Sequence, residues 1–187
     1  SFYGKYLNKT MTYANKEGTL LTISAGNDAA DLQHDGGVIS LPNEGAQALG
    51  VAATGPIGFL WGEEGLEAPE HAPAIYTNYG TNALTLAAPG GNYDPEAAEN
   101  DVPGWYYDLV LNTIAIPTYE TDGDGNVTGI ADTEYTYSWV AGTSMAAPQV
   151  AGAAALVKSA NPSYNANQVE SALKRAADVP AGYDKTF

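Results

Sequence analysis

Ser144 is the residue of this chain whose setting suits covalent chemistry. It stands in Gly142-Thr143-Ser144-Met145-Ala146-Ala147-Pro148-Gln149-Val150-Ala151-Gly152. The small residues Gly142 and Thr143 make a turn, and the apolar run from Val150 to Val157 is expected to bury the helix that follows. The turn therefore delivers Ser144 to the first turn of a helix, where unpaired N–H groups and the positive dipole end collect. Such a place favours an alkoxide-like nucleophile and the oxyanion formed when it attacks a carbonyl. The nucleophile elbow G-x-S-x-G is excluded, because the second residue after Ser144 is Ala146. A buried, Ala-rich helix capped by Ser or Thr would carry the same residue types without any chemistry.

Two further segments bear on the serine. Leu20-Leu21-Thr22-Ile23-Ser24-Ala25-Gly26-Asn27 is a short apolar run ending in Gly-Asn. It reads as a buried parallel strand entering a tight turn. Asn78-Tyr79-Gly80 is followed by Leu84-Thr85-Leu86-Ala87-Ala88-Pro89-Gly90, a loop and then a strand ending at Pro-Gly. Between them, Ala48 to Thr54 reads as another central strand.

In this order the three segments resemble the subtilisin-like serine peptidases, from about Leu20 onward. Met145, Pro148 and the Val-Ala-Gly ending fall where that family has them. The resemblance implies an α/β fold, a mostly parallel sheet with helices on both faces, incomplete at both ends. It implies that Ser144 is the nucleophile and that the Asn27 amide joins the Ser144 N–H in holding the oxyanion. An amide fits that role because it donates a hydrogen bond without ionising. By the same resemblance Ser24, Ala25 and Gly26 form one wall of the substrate side-chain pocket. The implied partner is a polypeptide substrate, the chemistry needs no cofactor, and the implied setting is secreted or extracytoplasmic. The departure is Gln149, where most relatives have a His that is not the base; Gln can donate and accept in its place.

Ser144 needs a base, and the base needs a carboxylate to orient it. In the family both precede the Asn27 strand. Ser1 to Leu20 contain neither His nor Asp. His34 lies in a polar Asp- and Gly-rich stretch and His71 in Glu70-His71-Ala72-Pro73. Both read as solvated loop histidines. The expectation is therefore a partial peptidase domain over 1–187, with the Asp and His in an upstream part of the same domain. The competing reading is a non-catalytic pseudopeptidase whose groove or aromatic hairpin binds a partner. A calcium-dependent adhesion module is a third.

The elements that position these residues follow from pattern. Phe2, Tyr6, Leu7, Met11 and Tyr13 have near-helical spacing over Phe2 to Lys16. Insertions are expected near 55–73, where Phe59, Leu60 and Trp61 should tuck a Gly/Glu/Pro-rich loop down, and near 91–137. In the second, Leu109 to Tyr119 and Ile130 to Val140 read as a hairpin around Asp122-Gly123-Asp124-Gly125-Asn126. Asp122, Asp124 and Asn126 alternate as oxygen ligands do in calcium loops, so structural calcium is a candidate there. Against it, Val127 and Thr133 stand where an EF-hand loop has Gly and Glu, and a plain Asp-Gly turn explains the same residues. Asn161-Pro162 should end the serine helix, and Asn165 to Ala177 form a last amphipathic one.

Composition closes other routes. The chain has 22 Asp plus Glu against 7 Lys plus Arg, a formal net charge of −15. That balance repels nucleic acid and anionic membranes. Without cysteine there is no disulfide framework and no cysteine-ligated zinc. No apolar stretch approaches the length of a membrane span.

Overall fold

The computed structural model describes residues 2–34, 40–45, 47–80 and 84–179. Helix α1 (Phe2–Lys16) leads into strand β1 (Leu21–Ser24), followed by β2 (Ala48–Thr54) and β3 (Leu86–Pro89). The three strands form one parallel sheet in the order β1-β2-β3. On the central strand β2, Leu49, Val51 and Ala53 share one face and are fully buried, while on the other face Gly50 is buried and Ala48, Ala52 and Thr54 are half-buried. This is why it reads as a continuous apolar run rather than an alternating one. Ser24 pairs with Val51, and Thr54 pairs with Pro89. The carboxyl ends of the strands thus lie together, the end at which parallel sheets carry their sites.

Helix α3 (Thr143–Ala160) packs on this sheet. Ala146, Val150 and Ala154, one turn apart, form the buried stripe and share a core with Leu49, Val51, Ala53 and Ala88. The expectation that the apolar run buries the helix holds for this stripe alone. Ala151, Ala153, Ala155 and Leu156 point outward, Leu156 at 74% exposure, with no cover among the described residues. Helix α4 (Ala166–Ala176) closes the core with Val169 and Leu173. It starts at Asn165 through a capping box: the Asn165 side chain accepts from Gln168 N at 2.9 Å, and Gln168 Oε1 accepts from Asn165 N at 2.9 Å.

The segments around 55–73 and 91–137 have defined structure. A short helix α2 (Pro95–Glu99) is capped by Asp94 and followed by a 3₁₀ turn, Trp105–Asp108. Strands β4 (Val110–Thr121) and β5 (Val127–Val140) pair only with each other among the described residues, as an antiparallel ribbon. The hairpin is as expected and longer at its far end. In the 55–73 loop, Trp61 does tuck down, whereas Phe59 and Leu60 are exposed. The anchor is buried Asp108. Its carboxylate accepts from Gly58 N (3.0 Å), Phe59 N (2.8 Å) and Trp61 Nε1 (2.7 Å).

Candidate active site

The fold brings the serine turn and the Gly26-Asn27 turn together. Asn27 Oδ1 accepts two hydrogen bonds from Thr143, from its N at 3.0 Å and its Oγ1 at 2.9 Å. Thr143 Oγ1 in turn accepts from Gly26 N at 3.2 Å. Thr143 is wholly buried while Asn27 is exposed, so these bonds lie at the edge of the core. With its oxygen held on Thr143, the Asn27 amide has its Nδ2 on the side of Gly142. A methyl built on Gly142 would lie 3.5 Å from Asn27 Nδ2 and 3.7 Å from Ser144 N. These two nitrogens, with Met145 Sδ at 3.5 Å, border the point that a side chain at Gly142 would enter. Gly142 has φ +155, and its N donates to Gly90 O at 2.9 Å, tying the serine turn to the end of β3.

Ser144 follows at the second position of α3 and is exposed. Its Oγ has no hydrogen-bond partner among the described residues. Pro148 sits four residues on in the same helix and has no N–H to give to the Ser144 carbonyl. Gln149 Nε2 donates to Pro89 O at 2.6 Å and to Met145 O at 3.3 Å, fastening the helix to β3. That amide-to-carbonyl strap is what Gln149 contributes.

The loop after β1 is fixed by polar residues whose roles were not legible beforehand. Ala25 O accepts from Asn43 Nδ2 (2.9 Å) and from Asn78 Nδ2 (3.0 Å). Asn78 Oδ1 accepts from Asp28 N and Ala30 N. Gly26 has φ +102, and a Cβ there would meet Asn78 Nδ2 at 2.4 Å, so only glycine fits. Of the expected pocket wall, Ser24 and Gly26 are half-buried and Ala25 is buried. Tyr76 OH contacts Gly90 O (2.9 Å) and Gly91 O (2.6 Å) beneath the same turn. Burial pushes its phenol up to about 12.

Neither histidine has a contact with Ser144. His34 Nδ1 lies 2.8 Å from Asp31 Oδ2 on the surface, and this hydrogen bond holds the Asp31 carboxyl below its ordinary range. His71 is exposed. At the ribbon tip, Asp122 Oδ1 accepts from Asp124 N (3.0 Å) and Asn126 N (2.9 Å), and Asp122 Oδ2 from Asn126 Nδ2 (3.0 Å). Asp122 is thus engaged within the turn, and these bonds hold its carboxyl below the usual range. Among the described residues no three His, Cys, Asp or Glu side chains group closely enough to hold a metal ion. No described helix is long and apolar enough to cross a membrane.

The model of the Subtilase family, peptidase S8, matches residues 1–187. An extracellular protease of Xanthomonas campestris pv. campestris is 31% identical over 170 residues, covering 90% of this chain and 21% of the relative. Among solved structures, a protease from Pseudoalteromonas arctica PAMC 21717 superposes with a TM-score of 0.61 at 28% identity, over 92% of this chain and 40% of the other. A lanthipeptide protease superposes with a TM-score of 0.63 at 25% identity, over 92% of this chain and 47% of the other. The chain thus spans about a fifth of the Xanthomonas relative and less than half of either solved structure.

Proposed function

The chain belongs to the subtilase family, and from that membership we propose that its protein is a serine endopeptidase in which Ser144 attacks the peptide carbonyl. Ser144 Oγ bonds to the carbonyl carbon as its proton passes to a His base; the C–N bond of the tetrahedral intermediate then breaks, the His returns that proton to the departing amine, and water hydrolyses the acyl-enzyme left behind. The developing oxyanion takes hydrogen bonds from Asn27 Nδ2 and Ser144 N. The observation that carries this reading is the closeness of Asn27 Nδ2 and Ser144 N to one point beside Gly142. Thr143 supports it by fixing which end of the Asn27 amide faces that space. The His and the Asp that orients it are assigned to a part of the domain other than these residues. The backbone of Ser24, Ala25 and Gly26 forms one wall of the pocket for the side chain before the scissile bond, and its small residues leave room for a large apolar group. A secreted or extracytoplasmic setting is proposed with it, in keeping with the extracellular relative. The chemistry calls for no cofactor.

The test uses the full-length protein. Ser144→Ala should lower turnover of a peptide substrate by about 10⁶ and abolish labelling by a fluorophosphonate. Asn27→Ala should lower turnover by about 10²–10³, the size established for one such donor in subtilisin itself, while labelling persists more slowly. A Ser144→Ala protein that keeps more than about a tenth of its activity would end the assignment.

A further inference from the structure

We propose that the β4–β5 ribbon is a docking arm for a cationic, extended segment of the polypeptide substrate, laid along the free edge of β5 beside its tyrosine face. This deepens the peptidase reading and rests on it. The ribbon is built from strands of 12 and 14 residues, so it reaches about 40 Å. Every residue from Thr118 to Thr128 is exposed. A lone two-stranded ribbon is marginal in water and gains from a third strand.

The two faces of the ribbon differ. Residues directly opposite one another share a face. One face pairs Leu111 with Trp139, Thr113 with Tyr137 and Ala115 with Tyr135; the other pairs Ile116 with Glu134 and Thr118 with Asp132. Tyr135 and Tyr137 are 82% and 71% exposed, since only small side chains stand across from them. Their stripe continues into Trp139, whose ring lies 5.6 Å from Tyr106 and 5.7 Å from Tyr107. Open tyrosine rings accept the stems and charges of Lys and Arg.

Charge selects the occupant. Between Val110 and Val140 the ribbon carries Glu120, Asp122, Asp124, Asp132 and Glu134, and no Lys, Arg or His. A second copy of this chain or a nucleic acid would bring like charges together, whereas a Lys/Arg-rich segment is attracted. The edge is selected too. Proline cannot donate to a new ladder, and β4 holds Pro117 while β5 holds none. An added strand gains backbone hydrogen bonds along β5, with alternate side chains on the tyrosines. Since β5 ends at Val140, four residues before Ser144, a chain docked there leads to the nucleophile.

The experiment measures binding of a fluorescent 12-residue Lys-Thr peptide of repeating Lys-Lys-Thr-Thr, which sets Lys on both faces of an added strand, to the full-length protein carrying Ser144→Ala, with the corresponding Glu-Thr peptide (Glu-Glu-Thr-Thr repeats) as control. The Lys-Thr peptide should bind, and more weakly as salt screens the carboxylates. Asp132→Lys with Glu134→Lys should weaken it at least about tenfold, and Tyr135→Ala with Tyr137→Ala by about fivefold. All four side chains lie in the exposed ribbon, and circular dichroism checks that each variant is folded. Unchanged affinity in both variants, or equal binding of the Glu-Thr peptide, overturns the arm. Fluorophosphonate labelling of unmutated Ser144 tests the peptidase reading separately. Labelling without Lys-Thr binding overturns the arm alone, and binding without labelling overturns the peptidase reading while supporting the arm as a binding surface.

Discussion

Thr143→Val isolates the link between the helix and the Asn27 amide. Valine is nearly isosteric with threonine and keeps the backbone N–H that donates to Asn27 Oδ1. The substitution removes the 2.9 Å hydroxyl bond to Asn27 and the acceptor for Gly26 N. The lost bond is worth about 1 kcal/mol net, and a buried N–H left facing a methyl costs about 1–2 kcal/mol more. The fold should lose about 2–3 kcal/mol, a fall of about 4–12 °C in melting temperature for a protein of roughly 150–250 residues. Turnover should fall about three- to tenfold, because the amide keeps one of its two tethers and its donor is less well aimed. The decisive assay is a double-mutant cycle on kcat. In an Asn27→Ala background there is no amide to aim, so Thr143→Val should cost nothing further, a coupling of about 1 kcal/mol. Equal losses in the two backgrounds would refute the argument that Thr143 acts through Asn27.

Two further outcomes follow from buried polar groups. Asp108→Ala strands three donors of the 55–73 loop and should cost about 3 kcal/mol, or about 6–12 °C in a thermal melt, with altered Trp61 fluorescence; a shift below about 2 °C would show that the loop is held by something else. For Tyr76, the folded pKa of about 12 lies above the ordinary value, so the neutral phenol stabilises the fold fully below about pH 10 and this contribution is lost as the pH rises from there toward 12. Urea titrations of Tyr76→Phe should lack that alkaline loss, and identical alkaline limbs for the two proteins would count against burial of the phenol.

The elements that position the site were legible because their signals are local. Apolar runs ending at Gly26 and Pro89 gave the strand ends, and the Asp-Gly turn with flanking alternation gave the ribbon. Ser144 and Asn27 were legible as types in motifs. Their mutual geometry was not, because it depends on Thr143, which touches Asn27 across 116 positions of sequence. Asn78 was legible only as part of its motif and Asp108 not at all, for the same reason: each satisfies backbone N–H groups about 50 residues away and has no periodicity of its own. The spacing in α1 predicted the helix and carried no information on its burial. Of its apolar residues only Met11 is buried, against Gly45, while Phe2, Tyr6 and Tyr13 are exposed. Helical spacing fixes which residues share a face, and only the rest of the fold decides whether that face is covered.

The separation of Asn27 from Thr143 also ties the site to the whole fold. The packing of α3 against β1 closes the same stretch of chain, so the contact cannot be made locally and comes only with that packing. Until then the Asn27 amide turns freely, the serine turn lacks its Gly90 anchor, and no pair of donors is aimed at one point. On the proposed peptidase reading, labelling at Ser144 would therefore report the completed fold rather than the mere presence of the serine.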